Sequence, residues 1–356
     1  MEVKIINKAF IFIKPHANVV STQAFVRDWL YSKGLVMVEE RTLTGPSLVG
    51  CFDRQYALTG RRALILKPHE LDLSASNKTL FHDRFGVTWE EALEKGRIRN
   101  ASSAMDMLAV SSAQLSAAWL KSVADGNVVR FGRGFYCGLL QNVGPDRPSV
   151  FCINGFYPAM RAKFAAPTAS IYACSVLFDE KTLPWKEFIE YIVGVADPNL
   201  AHPESLRGVM CREWKELGLS AVPNSEENCL HASASAFEAF AERCNWLKAP
   251  WTIDPVGSRL FALGMTPHVV QEWLNNSVVK GKRVFEHMAG AGCEECLDIA
   301  KQIFSIADGT CMCLLAYVFF LRRLTGLGVG WGGVYSGAYT RHYQGRKESR
   351  GVCSHS

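Results

Sequence analysis

The sequence predicts an α/β protein, because strand-like and helix-like stretches alternate along the chain. An apolar run over residues 8–14 ends at Pro15 and is typical of a buried strand. The stretch that follows has one apolar face and is predicted to be a helix. We expect Ser21 to cap this helix and Gly34 to end it. Residues 35–44 are rich in β-branched side chains and form a second strand. The chain therefore opens with a strand–helix–strand unit.

The same alternation returns in the second half of the chain. Residues 171–178 read as a strand, and residues 183–193 carry an apolar stripe at helical spacing. A further helix is expected to start at Ser235 and run to about residue 246. Ser235 followed three positions later by Glu238 matches a capping box.

Composition excludes several classes of protein. The 48% hydrophobic and 21% charged residues indicate a globular protein with a sizeable core. A net charge of +5 is too mild to indicate nucleic-acid binding, and no recognition helix is apparent. The apolar run at 311–320 is too short for a membrane span, which needs about 20 residues. Without a signal peptide or framework spacing, the 12 cysteines are expected to be reduced in a cytoplasmic protein.

His231 is the strongest candidate for chemistry. It stands in a short polar turn between an apolar run and the start of a helix, and Glu242 follows two turns into that helix. If the Glu242 carboxylate accepts a hydrogen bond from one ring nitrogen, it fixes the tautomer of the imidazole. The other nitrogen is then suited to attack phosphorus. Local sequence alone favours the alternative, a structural histidine in a turn.

The stretch from Asn228 to Ser233, with Glu242 eleven positions after His231, resembles the active-site signature of nucleoside diphosphate kinases. The resemblance continues in the family's order over residues 1–56 and 150–247. It implies a ferredoxin-like βαββαβ fold, an α+β sandwich with an antiparallel sheet covered by helices.

The resemblance also implies roles for individual residues. His231 would carry the phosphate, Glu242 would orient it, and Ser233 would support its surroundings. The residues that would bind the nucleotide are Lys14, Tyr56, Phe156, Met160, Arg207 and Asn228. Four of them would hold phosphates, while Phe156 would stack on the base and Met160 would cover it. In isolation, Lys14 also fits a solvated strand end, and Phe156 a core aromatic.

Several positions depart from the family pattern. They are His16, Glu190, Ala196, Ala232 and Ala234. Glu190 stands where the family has an arginine, and a carboxylate there repels a triphosphate. Ala196 replaces a threonine, so a second phosphate contact is lost.

Outside the family-like region of residues 1–56 and 150–250, three segments are predicted. Residues 57–149 are an insertion with helices at 88–93, capped by Thr88 and Glu91, and at 112–124. The glycine-rich piece 131–138 lacks the context of a phosphate loop and is interpreted as a strand edge or bend. Residues 251–304 form a helical appendage, and residues 305–356 a tail expected to be poorly ordered. A zinc set made by Cys293, Cys296, Cys311 and Cys313 is disfavoured by the irregular spacing of the second pair.

Two functions remain open. The first is transfer of the γ-phosphate of an NTP, such as ATP, to an NDP through a phosphohistidine, with Mg²⁺ entering with the nucleotide. The second is a catalytically weakened scaffold or binding protein, by analogy cytoskeletal or flagellar. Retention of His231 and Glu242 favours the enzyme, and Glu190 and Ala196 favour the scaffold. We expect no protein ligands to a metal and no nucleic-acid or membrane partner. The insertion would be the surface through which the chain forms a homo-oligomer or binds a protein partner.

Overall fold

The computed structural model describes residues 6–144 and 147–304. The predicted tail, the apolar run at 311–320 and the pair Cys311 and Cys313 lie outside these ranges. None of the helices within them combines the length and the apolar character needed to cross a membrane.

Strands and helices alternate as the pattern predicts. The strands are β1 (Ile6–Ile13), β2 (Val36–Thr44), β3 (Ile98–Asn100), β4 (Val128–Gly132), β5 (Phe135–Leu140), β6 (Val150–Ile153), β7 (Ser170–Asp179), β8 (Leu230–Ala232), β9 (Val278–Val279) and β10 (Lys282–Arg283). The helices are α1 (Val20–Ser32), α2 (Gly45–Gln55), α3 (Ala57–Leu64), α4 (Ala75–Phe85), α5 (Trp89–Glu94), α6 (Ala101–Leu108), α7 (Ser112–Ala124), α8 (Tyr157–Ala165), α9 (Trp185–Glu187), α10 (Leu206–Arg212), α11 (Ala236–Glu242), α12 (Gly257–Ala262), α13 (Pro267–Leu274), α14 (Val284–His287) and α15 (Cys293–Phe304). Two π-helical segments, Phe188–Val193 and Arg243–Leu247, continue α9 and α11.

The first sheet has the strand order β2-β7-β1-β8 and is antiparallel throughout. β1 lies in the interior and pairs with β7 from Ile6↔Asp179 to Ile13↔Tyr172. This order places each of the two strand–helix–strand units around a strand of the other, as in a ferredoxin-like βαββαβ sheet. The predicted fold class, α/β with an antiparallel sheet and a helical extension, is confirmed.

The central strand carries the largest side chains of the core. Phe10 and Phe12 are fully buried and both contact Trp246, with ring centroids 6.4 and 5.2 Å away. Phe12 also meets Phe164 of α8 edge to face at 6.2 Å. Burying one such side chain contributes about 1.5–3 kcal/mol. These contacts fix α8 and the segment after α11 against the strand that carries the site.

The insertion builds a second sheet of order β3-β6-β5-β4, in which β3 and β6 are parallel and the other pairs antiparallel. The two predicted helices are confirmed as α5, with the Thr88–Glu91 capping box, and α7. The glycine-rich piece forms the β4–β5 hairpin, as the strand and bend interpretation predicts. The sheet also includes Val150–Ile153, just past the predicted insertion. The division into domains stays a prediction.

The predicted cap of α1 is wrong. The helix begins at Val20, with Val19 as an N-cap that makes no side-chain hydrogen bond. Ser21 lies inside the first turn, and its hydroxyl donates to the Leu217 carbonyl at 2.7 Å. The hydroxyl group that would cap the helix is instead hydrogen-bonded to a residue distant in the sequence.

The appendage is helical, as predicted, with α13 and α15 at the expected positions. Asn7 ties it to β1, because its side-chain oxygen accepts from the Cys293 amide at 2.9 Å. Cys293 and Cys296 are buried, and within the described residues neither forms a disulfide.

Replacing Gly208 of α10 with alanine is expected to destabilise the protein by about 1–3 kcal/mol. An added Cβ would lie 2.2 Å from the His202 carbonyl oxygen and 3.0 Å from Pro203 Cα, and both of these are backbone atoms. Urea unfolding followed by circular dichroism measures the effect as a lower midpoint at unchanged slope.

Gly50→Ala is the matched control. It also places a methyl group on a helix, but the nearest atom is Arg54 Nη1 at 3.8 Å. We expect it to be neutral or stabilising by about 0.4–1 kcal/mol. Equal midpoints for the two variants would contradict the packing argument.

Candidate active site

His231 lies on the short edge strand β8, directly opposite Phe12 of β1. The two rings stack with centroids 4.7 Å apart and an interplanar angle of 19°. Nε2 of His231 lies 2.7 Å from Oε1 of Glu242, and the histidine side chain is 15% exposed. Stacking and the carboxylate together fix the plane of the imidazole.

Glu242 is a buried carboxylate with several donors. Its side chain is 1% exposed and accepts hydrogen bonds from the Ser233 hydroxyl and the Gln55 amide, besides its contact with His231. Burial by itself raises the pKa of Glu242. The charge of His231 and the hydrogen bonds from His231 and Ser233 outweigh burial, so the pKa lies below its usual range.

An ionised Glu242 sets the tautomer of His231. The carboxylate can only accept, so Nε2 carries the proton and Nδ1 keeps its lone pair. Within residues 6–144 and 147–304, no hydrogen bond engages Nδ1. The three residues predicted as catalytic, His231, Glu242 and Ser233, are thus brought into one group by the fold.

Three of the predicted phosphate-binding residues meet along the backbone that leads into β8. Lys14 donates from Nζ to the Glu226 carbonyl at 3.3 Å, and its amide donates to the Cys229 carbonyl at 2.8 Å. Arg207 donates from Nη2 to the Leu230 carbonyl at 2.9 Å and from Nη1 to the Gly194 carbonyl. These contacts hold the two cations beside the segment that ends in His231.

Asn228 belongs to the same group, since its side-chain nitrogen donates to the Ala196 carbonyl at 2.8 Å. Its neighbour Cys229 has a φ of +66°, a left-handed backbone that side chains other than glycine adopt at some cost. This turn directs the Cys229 carbonyl to the Lys14 amide.

The local electrostatics suit an anion. Burial, followed by repulsion from Arg207, lowers the pKa of Lys14 to about 8. Burial also lowers the pKa of Arg207 to about 10. Nε of Arg207 and Oδ1 of Asn228 are buried without a hydrogen-bond partner among the described residues. Buried polar atoms are normally hydrogen-bonded, so these two atoms are available to bind a polar ligand or water.

The remaining nucleotide-binding candidates lie on helix ends and against the insertion. Tyr56 follows α2 and packs on Phe52 at 4.6 Å; burial and the charge of Glu242 raise its pKa well above the usual range. Phe156 precedes α8 and is contacted by Trp119 at 5.6 Å and Tyr136 at 5.8 Å. Met160 of α8 is half-buried against the core. The base-stacking role of Phe156 and Met160 stays a prediction.

Three of the departures from the family pattern lie in separate segments. Glu190 is exposed on the π-helical segment after α9. Ala196 contributes its backbone carbonyl to Asn228. His16 follows β1, and burial lowers its pKa to about 4.

Two residues of the site were missed from the sequence. Gln55 binds Glu242, and Arg133 of the insertion binds Glu238 with both terminal nitrogens. The predicted capping box is consequently only half formed. Ser235 accepts from the Glu238 amide at 3.1 Å, but the Glu238 carboxylate points to Arg133. Neither contact has a local sequence signal.

No protein-family model matches the sequence, and no curated protein matches it. Solved structures of nucleoside diphosphate kinases are similar to the chain at low scores. One from Aquifex aeolicus is 10% identical, covers 68% of this chain and 94% of its own, and has a TM-score of 0.29. The one from Borrelia burgdorferi is a transition state mimic with bound vanadate and ADP. It is 15% identical, covers 68% of this chain and 86% of its own, and has a TM-score of 0.30. One from Pyrobaculum aerophilum is 10% identical, covers 68% of this chain and 96% of its own, and has a TM-score of 0.32. Scores this low do not assign the chain to that family.

Proposed function

We propose that the protein is a phosphotransferase of the nucleoside diphosphate kinase type, which moves the γ-phosphate of an NTP to an NDP through a phosphohistidine on His231. The observation that carries the proposal is the 2.7 Å contact between Nε2 of His231 and the buried Glu242. It leaves Nδ1 as an oriented nucleophile. The half-buried Lys14 and the buried Arg207, beside the same strand, would supply the positive charge that a nucleotide requires.

The reaction has two symmetrical halves. The Nδ1 lone pair attacks the γ-phosphorus, the bond from that phosphorus to the β–γ bridging oxygen breaks, and NDP leaves with that electron pair. A terminal β-phosphate oxygen of a second NDP then attacks the phosphorus of the phosphohistidine. The bond between phosphorus and Nδ1 breaks, its electron pair returns to Nδ1, and the NDP leaves as NTP. Glu242 stabilises the positive charge on the ring while Nδ1 carries phosphorus.

Mg²⁺ neutralises phosphate charge when it enters with the nucleotide. Oxygen atoms are its preferred ligands, and Oδ1 of Asn228 and Oε1 of Glu226 are buried oxygens without a partner in the described structure. These two side chains would hold the ion together with the phosphates of the nucleotide. Lys14 and Arg207 would pair with the phosphate oxygens that remain.

The second candidate, a scaffold that has lost efficient catalysis, is favoured by a different observation. Phe156 is already contacted by Trp119 and Tyr136. Both terminal nitrogens of Arg207 already donate hydrogen bonds to backbone carbonyls. A nucleotide would have to share Phe156 with the insertion.

The deciding experiment is incubation of the purified full chain with γ-labelled ATP and Mg²⁺, beside a His231→Ala control. We expect an acid-labile, base-stable label on the wild type only, which a nucleoside diphosphate releases as new triphosphate. Absence of label together with absent or weak ATP binding would refute the proposal and leave the scaffold.

The affinity for ADP is expected to fall as the pH rises through about 8. With a pKa of about 8, Lys14 is a cation below that pH and neutral above it, and only the cation attracts phosphate. Between about pH 8 and about pH 9 the affinity should drop by up to about tenfold, because one pKa unit corresponds to a tenfold change. Isothermal titration calorimetry across this range measures it.

Lys14→Arg is the control, because arginine stays charged throughout. Its affinity for ADP should change little over the same range. A wild type with constant affinity, or a variant with the same decline, would show that Lys14 does not govern binding.

A further inference from the structure

The β4–β5 hairpin of the insertion delivers a cation to the helix that carries Glu242. Arg133 occupies the turn between the two strands, and its two terminal nitrogens bind the two carboxylate oxygens of Glu238. The Glu238 side chain is 1% exposed, whereas Arg133 is 40% exposed. The arginine thus reaches from the surface to a buried acid in the first turn of α11.

The tip of this hairpin is held firmly. The Gly134 carbonyl accepts from the Asn154 side chain at 3.0 Å and from Arg62 at 3.4 Å. Gly134 has a φ of +60°, and an added Cβ would lie 2.3 Å from the Thr59 hydroxyl. Arg62 also lies over the Phe135 ring at 4.3 Å. Arg133 is therefore presented at a fixed place.

Glu238 and Glu242 lie four positions apart on α11, so they share a face of the helix. The charged and titratable groups around Glu238 are Arg133 of the hairpin, Glu242 of its own helix, His231 of β8, and Tyr56 after α2. Burial and the charge of Glu242 raise the pKa of Glu238, and Arg133 opposes them. Without Arg133, a buried carboxylate would stand unpaired beside the one that orients His231.

We propose that Arg133 is a positioning residue of the active site, which pairs with Glu238 so that Glu242 remains ionised and committed to His231. The inference rests on the proposed function. If Arg133 is removed, Glu238 takes up one proton from solvent to relieve its unpaired charge. The proton is distributed between Glu238 and Glu242, because both carboxylates lose the charge of Arg133. In the molecules in which it lies on Glu242, that carboxyl group can donate, and the proton on His231 is no longer confined to Nε2. The insertion is on this view a working part of the site.

The test compares the full-length wild type with Arg133→Met, Glu238→Gln and Arg133→Met/Glu238→Gln. Arg130→Met is the matched control, because Arg130 is exposed on the same hairpin and lies over Tyr136. Two properties are measured against pH: the rate of labelling by γ-labelled ATP, and the His231 tautomer from ring nitrogen chemical shifts. The His231→Ala spectrum identifies the signal among the nine histidines.

We expect Arg133→Met to slow labelling by about tenfold or more, to displace its pH profile and to mix the two tautomers of His231. The double variant should recover the wild-type tautomer and most of the rate, since a glutamine needs no cation. Arg130→Met should match the wild type. A purely structural role would lower thermal stability without moving the tautomer.

An Arg133→Met variant with the wild-type tautomer and pH profile would overturn the inference. So would a double variant no closer to wild type than Arg133→Met. The tautomer is read without any turnover. If the wild type fails to label, but the tautomer changes in Arg133→Met and recovers in the double variant, the proposed function is refuted and the inference is supported.

Discussion

Glu242→Gln is expected to slow formation of the phosphohistidine by about 10²–10⁴-fold, the range typical of general acid–base groups. The amide has one acceptor oxygen where the carboxylate has two, and it adds a donor facing groups that donate already. His231 Nε2, the Ser233 hydroxyl and the Gln55 amide then compete for a single oxygen. Single-turnover labelling with γ-labelled ATP measures the rate.

Ser233→Ala provides the graded comparison. It removes one donor from Glu242 and leaves the contact with His231 in place. We expect a smaller loss of rate, on the order of tenfold, which is the effect of about 1.4 kcal/mol. Labelling of Glu242→Gln at the wild-type rate would show that the carboxylate does not orient the nucleophile.

Arg243→Met is expected to destabilise the protein by about 3–5 kcal/mol, because it leaves a buried charge without its partner. The Arg243 side chain is 0% exposed and donates from Nε and Nη2 to Oδ2 of Asp254, at 2.9 and 2.7 Å. It also donates from Nη1 to the Lys8 carbonyl of β1. Chemical unfolding monitored by tryptophan fluorescence measures the loss.

The double variant Arg243→Met/Asp254→Leu separates charge from packing. It removes both buried charges, and replacement of a buried pair by apolar residues is often neutral. The Lys8 carbonyl and the Val256 amide each lose a partner, so a residual loss of about 1–3 kcal/mol is expected. If the double variant is as unstable as Arg243→Met, the loss of stability comes from altered packing and not from the unpaired charge.

Local pattern predicts much of this fold and the centre of its site. The strand–helix–strand opening and the helix at 112–124 follow from apolar spacing and turn residues over short windows. The pairing of His231 with Glu242 follows from the family-like spacing, since both lie in one short segment.

Contacts between distant segments account for what could not be predicted. Gln55 and Glu242 are 187 positions apart, and Arg133 and Glu238 are 105 apart. No periodicity links such residues. The same cause explains the caps. The Ser235 hydroxyl caps α11 and has no competing partner among the described residues, whereas the Ser21 hydroxyl bonds to the Leu217 carbonyl.

The way the insertion closes on itself bears on how the chain folds. The side chain of Asn154 donates to the Thr59 carbonyl at 3.1 Å, across 95 positions, and Gly60 leaves room for the Tyr157 ring. Pairing Thr44 of β2 with Ser170 of β7 would otherwise require closure of a very long loop, whose entropic cost grows with its length. Once the insertion has folded, the two strands are joined through short segments. The folded insertion therefore lowers the entropic cost of pairing the strands of the sheet that carries His231.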